Sequence, residues 1–237
     1  MSTSLIGTSG YNYSWNKGKN NKFRWYLDQG FNSVEINGSF YHFPTSSWIN
    51  NWKNSSPKEF RFSIKVNRAI THYTRLNGNK SIDLWRNFKK TLEPIQKRIA
   101  FWLFQMPSTF KFNHENMERL RRFVKNANLD KSAVFEFRDV SWWKKPSIKE
   151  LEKLKITMCS VDTPLLPRRI LNLNDIIYFR LHGAKSWYNY TYSEKELKNF
   201  IMRLQKKPGS LKAVYLNNDH GMLPNGKFLI QHLIERD

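Results

Sequence analysis

Short apolar, β-rich runs alternate along the whole chain with longer amphipathic stretches. The runs cover residues 4–9, 31–37, 61–66, 99–106, 133–138, 157–162, 176–182 and 212–218, which predicts eight strands. Between them, Leu84, Phe88, Leu92 and Ile95, and then Met117, Leu120, Phe123 and Val124, recur at helical spacing. Ser147 ahead of Glu150, and Ser193 ahead of Glu196, predict capping boxes, in which hydroxyl and carboxylate satisfy orphan N–H groups at a helix start. Gly30 falls where the first helix should end, at a left-handed cap position. No linker, low-complexity tract or break in composition divides the chain, so residues 1–237 are expected to form a single α/β domain of (β/α)8, TIM-barrel-like architecture.

Successive side chains of a strand point to opposite faces, and this parity sorts the runs further. Phe135 and Phe137 share one face, Glu136 and Arg138 the other; Val34 and Ile36 oppose Ser33, Glu35 and Asn37; Phe179 and Leu181 oppose Arg180 and His182. Phe62, Ile64 and Val66 oppose Ser63 and Lys65, and Cys159 and Val161 oppose Ser160 and Asp162. If the apolar sets pack outward on helices, the polar sets face the barrel interior near the C-terminal ends of the strands. Gln105 and Asn217 add amides, and Cys159 is expected to face outward. Active sites of barrel enzymes lie at that rim. Buried charges are costly unless paired, so Glu35, Lys65, Glu136, Arg138, Asp162 and Arg180 form either a salt-bridge network or a pocket, and their convergence from five strands favours the pocket.

Composition adds a partner class. There are 40 Lys+Arg against 19 Asp+Glu, a formal net charge of +21, which favours nucleic acid or a phosphate-bearing small molecule; a coding bias toward Lys and Asn is the alternative explanation, although it would not by itself remove acidic residues. Cys159 is the single cysteine, which excludes an intrachain disulfide and suits a reducing compartment. No apolar run approaches a membrane span, and the opening residues carry no charged region followed by an apolar one, so a soluble, cytoplasmic protein with no membrane partner is expected. A phosphate-cradling glycine loop, a dinucleotide fingerprint and a zinc-type cysteine pattern are all missing.

The motifs "GTSGY" (7–11), "VEINGSFY" (34–41), "ITH" (70–72), "FQMP" (104–107), "EFRDVSWW" (136–143), "DTP" (162–164), "YFRLHG" (178–183) and "NND" (217–219) stand in an order and spacing that resemble the YecE-like family, the domain of unknown function 72. The resemblance spans nearly the whole chain and implies a TIM-barrel-like fold. It fixes fold and site more firmly than reaction.

The residues themselves suggest chemistry. Glu136, Asp162 and His182, with Glu35, are the candidate catalytic groups, because carboxylates in unlike environments can divide acid and base roles. Glu136, Asp162 and His182 are also the candidate ligands of a possible divalent metal ion, with His72 a second imidazole. Lys65, Arg138 and Arg180 suit phosphate; Asn37, Gln105 and Asn217 suit hydroxyls or a base edge; Trp142, on the loop after the fifth strand, offers a stacking face, as do Tyr188, Tyr190 and Tyr192 after the seventh. The expected function is a phosphoesterase or nuclease-like enzyme. A sugar or sugar-phosphate isomerase, lyase or glycosidase, and a non-catalytic nucleic-acid-binding barrel, are the alternatives.

Overall fold

The structure, a computed structural model, describes residues 3–234. All eight runs form strands, and the sixth forms two: β1 (Thr3–Thr8), β2 (Ser33–Ile36), β3 (Arg61–Lys65), β4 (Ile99–Gln105), β5 (Ala133–Glu136), β6 (Thr157–Met158), β7 (Ser160–Asp162), β8 (Ile176–Leu181) and β9 (Leu211–Leu216). The helices are α1 (Lys22–Leu27), α2 (Gly38–Tyr41), α3 (Ser46–Ser55), α4 (Gly78–Thr91), α5 (His114–Asn126), α6 (Lys145–Lys153), α7 (Glu194–Gln205) and α8 (Met222–Leu233). Strand pairing is parallel throughout, in two arcs of order β2-β3-β4-β5-β6 and β1-β9-β8-β7. Together the arcs make a TIM-barrel-like α/β domain.

The arcs meet at two seams. At one, Cys159 interrupts the sixth strand, so that β6 ladders with β5 and β7 with β8; the Cys159 N–H still donates to Phe135 O at 2.8 Å. At the other, side chains stitch β1 to β2. Asn32 Oδ1 accepts from the Ile6 N–H and its Nδ2 donates to Ser4 O, both at 2.8 Å. The Tyr26 hydroxyl accepts from the Thr8 N–H at 3.0 Å and donates to Ser33 O at 2.8 Å. Gly7 permits this approach, since a Cβ there would stand 2.4 Å from Ser33 O.

Outward-facing strand residues pack on the helices as the alternation requires. Phe104 stacks on Phe135 at 4.7 Å and meets Trp85 of α4 and Phe123 of α5. Inside, hydroxyls line the barrel: Ser33 bonds Tyr215 at 2.6 Å, and Ser63 bonds Tyr178 at 2.7 Å. The capping box at Ser193 and Glu196 forms at the start of α7, and Gly30 takes φ +87° after α1. The one expected at Ser147 does not. A proline in its first turn lets α6 begin at Lys145, and the buried Ser147 hydroxyl donates to Ser141 O and Lys144 O instead. Among the described residues, no helix is long and apolar enough to cross a membrane.

Candidate functional site

Arg180 of β8 occupies the centre of the barrel, fully buried. Its Nη1 donates to Glu136 Oε2 at 2.5 Å; its Nη2 donates to Glu35 Oε1 at 2.7 Å and to the Ser9 hydroxyl at 3.3 Å. Glu35 is saturated: Oε1 also accepts from Ser9 Oγ and Asn37 Nδ2, and Oε2 accepts from the Tyr178 hydroxyl at 2.7 Å. Burial opposes the charge on Arg180, but Glu136 and Glu35 overcome it and raise its pKa well above the ordinary value. Burial alone would likewise raise the Glu136 carboxyl, yet the Arg138 and Arg180 guanidiniums hold it well below the usual carboxylate range. His182, fully buried beside them, is lowered to about 3, by burial first and by the Arg180 charge second. Asn217 Nδ2 donates to its Nδ1 at 3.1 Å, which puts the imidazole proton on Nε2, facing Glu136 Oε1 at 3.7 Å.

Above this layer the mouth opens. Arg138 pairs through Nε with Glu136 Oε1, lies 4.6 Å from the centre of the Trp187 ring, and points Nη2 at Gln105 Oε1, 3.5 Å away. A depression of about 420 Å³ lies over these groups, lined by His72, Gln105, Ser108, Arg138, Leu166 and Trp187 among others. None of its described lining residues is a carboxylate. Lys65 stands beside it, half-buried, with Nζ over the Phe40 ring at 4.4 Å. Among the described residues it has no hydrogen-bond acceptor. Its pKa falls to about 7, through burial first and then the Arg180 charge, Glu136 and Glu35 only partly opposing. His72, edge-on to the same Phe40 and bonded through Nδ1 to the Thr71 hydroxyl, is lowered to about 4 by burial and by Lys65. At neutral pH the mouth therefore offers one firm cation, a lysine balanced between its two protonation states, a neutral imidazole and an amide.

The profile described as "Protein of unknown function DUF72" matches residues 5–231. The chain belongs to this family. UPF0759 protein YunF of Bacillus subtilis (strain 168) is 26% identical over 236 residues, covering 86% of this chain and 83% of YunF. UPF0759 protein YecE of Escherichia coli (strain K12) is 31% identical over 80 residues, 34% of this chain and 29% of YecE. A DUF72 family protein from Thermotoga maritima MSB8 is 27% identical and superposes with a TM-score of 0.83 over 98% of this chain and 99% of its own. An AP endonuclease, family 2, from Brucella melitensis is 9% identical with a TM-score of 0.61 over 100% of both chains, a likeness of fold alone.

The DUF72 barrel brings Glu35, Glu136, Arg138, Arg180, His182 and Asn217 together as parity requires, and it corrects other expectations. Asp162 does not join Glu136. Its Oδ1 pairs with Arg168 Nε at 2.8 Å, and it takes a hydrogen bond from Tyr192, with its pKa raised by burial against the pull of Arg168. The sixth strand runs with the reverse parity: Cys159 faces inward, its Sγ 4.0 Å from Glu136 Oε2, while the Ser160 hydroxyl accepts a loop amide from Leu171. A small thiol fits beside Glu136 and Arg180, and the burial that protects it raises its pKa well above the ordinary thiol value. Trp142 is core rather than a stacking face, wholly buried, 4.0 Å from the Phe137 ring and donating Nε1 to Phe110 O.

The proposed metal ligands do not fit a metal. Both oxygens of Glu136 are held by guanidiniums and Asp162 is elsewhere; among the described residues no group of three or more His, Cys, Asp or Glu is close enough to hold an ion. Glu35 is an anchor for Arg180, its carboxylate also held by Ser9, Asn37 and Tyr178. Trp187 is the aromatic ring that lines the mouth, with Arg138 against it, and no periodicity marks it. The only sequence signal is its place four residues after Gly183, whose φ of +117° starts the turn; a Cβ there would meet Ser186 O at 2.1 Å.

Proposed function

We propose that this DUF72 protein is a phosphoesterase or nuclease-like enzyme that holds a phosphate ester of nucleic-acid or nucleotide type in the depression over the barrel mouth. The observation that carries the reading is the lining of that depression, where Arg138 meets His72 and Gln105 beside an unpaired Lys65, with no carboxylate to repel an anion. Arg138 is preset for the task. Glu136 and the Trp187 ring fix the guanidinium plane, so little side-chain freedom is lost when its remaining donors take a phosphate oxygen. Lys65 is the proton-transfer group in this reading, because an amine with a pKa of about 7 can accept and return a proton at neutral pH. The net charge of +21 supports a polyanionic substrate.

A binding barrel without turnover is the second reading. In its favour, both interior carboxylates are engaged in ordering arginines.

Labelled single-stranded DNA, duplex DNA and RNA separate the two. Cleavage by the wild type and not by Lys65→Met is the expected result; Arg138→Gln is expected to weaken binding roughly tenfold to a hundredfold. Because an anion favours the lysine ammonium, affinity for a phosphodiester should fall as pH rises through about 7, and Lys65→Met should flatten that fall. Binding without cleavage would establish the second reading. Neither binding nor cleavage would sink both.

A further inference from the structure

A second depression, of about 360 Å³, lies at the same end of the barrel over β1 and β2; its walls include Tyr11, Tyr13, Asn37, Trp48 and Trp52. It shares no lining residue with the depression over the mouth, and none of its described lining residues is a carboxylate. Its aromatic walls are fixed by hydrogen bonds. Tyr13 donates its hydroxyl proton to Ser9 O at 2.6 Å, and Trp52 Nε1 donates to the Tyr11 oxygen at 2.9 Å. The rings lie within van der Waals range of the backbone: a Cβ at Gly38 would stand 3.4 Å from the Trp48 ring and one at Gly10 3.5 Å from that of Tyr13, both ordinary contacts, and it is the φ of +103° that favours glycine at position 10. Trp48 nevertheless stays 38% exposed, though it packs beside the buried Trp52.

Most polar groups of the walls are already paired, Tyr13 with Ser9 O and Asn12 Oδ1 with Lys22 Nζ, while Asn37 and Tyr11 keep unused capacity. Asn37 donates Nδ2 to Glu35 Oε1 at 3.2 Å, which fixes the orientation of its amide. Its Oδ1 is then left buried with no hydrogen-bond partner. A buried acceptor without a donor is costly and rare, and Asn37 is among the residues that line the depression. Tyr11 accepts from Trp52, so its own proton remains to be donated.

We propose that this depression receives one unstacked nucleobase of a nucleic-acid or nucleotide ligand, its face against Trp48 and an N–H of its edge donating to Asn37 Oδ1. The inference rests on the phosphate-ester reading above and names what the ester carries. A base matches better than a sugar ring. It presents a flat π-face and an edge with adjacent donor and acceptor, whereas a sugar presents several hydroxyl donors, for which the cavity has no carboxylate.

Calorimetric titration tests this with the four ribonucleosides, their 5′-monophosphates, ribose 5-phosphate and methyl glucoside as probes. At least one nucleoside is expected to bind the wild type, and Trp48→Ala to weaken it roughly 5- to 150-fold, the range that loss of a base–aromatic stack implies. Trp48→Phe should restore most of that affinity, which a folding defect would not. Ribose 5-phosphate should bind Trp48→Ala as it binds the wild type and lose affinity with Arg138→Gln. No nucleoside binding, or binding indifferent to Trp48→Ala, overturns the proposal, as does methyl glucoside binding in place of nucleosides. Nucleosides that bind through Trp48 while ribose 5-phosphate ignores Arg138→Gln would keep the base site and sink the phosphate reading.

Discussion

Arg180 and Arg138 carry the same charge, both pair with Glu136, and they behave in opposite ways. Arg180 is sealed inside the barrel with Glu35 on its other side, so both ends of its guanidinium are used. Arg138 keeps 13% side-chain exposure and lines the depression at the mouth. The lesson is one of saturation. Inside, every carboxylate oxygen has a cationic or hydroxyl partner and the charges hold the structure; at the rim, partners run out and the charges are available for a ligand.

The largest test of that contrast is Arg180→Met. It would leave the buried carboxylates of Glu35 and Glu136 without their shared cation, and breaking a buried pair in this way costs about 3–5 kcal/mol. Urea denaturation should show a loss of that order, and a loss below about 1 kcal/mol would break the contrast, because interior pairing would then be dispensable. Acid is the next probe. His182 is lowered to about 3 and Glu136 lies well below its ordinary value, so between about 6.5 and 3 the unfolded chain binds protons that the folded one does not. Stability should therefore decline steadily as pH falls through that window; a melting temperature flat from pH 7 to pH 4 would contradict it. The smallest effect belongs to the rim. Lys65 is lowered from 10.5 to about 7, so folding sheds a proton between those values and stability rises with pH across them. Lys65→Met should flatten that rise and leave the variant more stable than the wild type at pH 7, by an amount that the partial exposure of the side chain keeps to about 1–2 kcal/mol.

Much of this was legible in the residues. Strand positions follow from apolar runs whose length and spacing leave few alternatives, and Glu35, Glu136 and Arg180 fall inside because each alternates with large apolar neighbours that need the helical layer. The sixth strand lacks that asymmetry. Cys159 and Val161 are small enough for the interior and Ser160 can be satisfied outside, so sequence alone does not choose between the faces. Trp142 misleads for a different reason: an aromatic residue just past a strand reads alike whether it turns to solvent or, as here, back onto Phe137. Asp162 finds its partner in Arg168, on the loop that follows, where no periodicity announces a contact.

The β1 seam bears on the order of assembly. In one arc every strand ladders with the strand next in the chain, from β2 through β6. The other arc places β1 against β9, with Thr3 opposite Leu211, so the first strand to be synthesised finds its backbone partner only when the last has emerged. Until then Asn32 and Tyr26 are the groups that can moor it. Contacts between such distant parts of a chain form late, after the entropy of closing the loop between them has been met. The barrel is thus completed by its two ends, and shortening the chain at residue 210 would leave β1 tethered by two side chains beside an open edge.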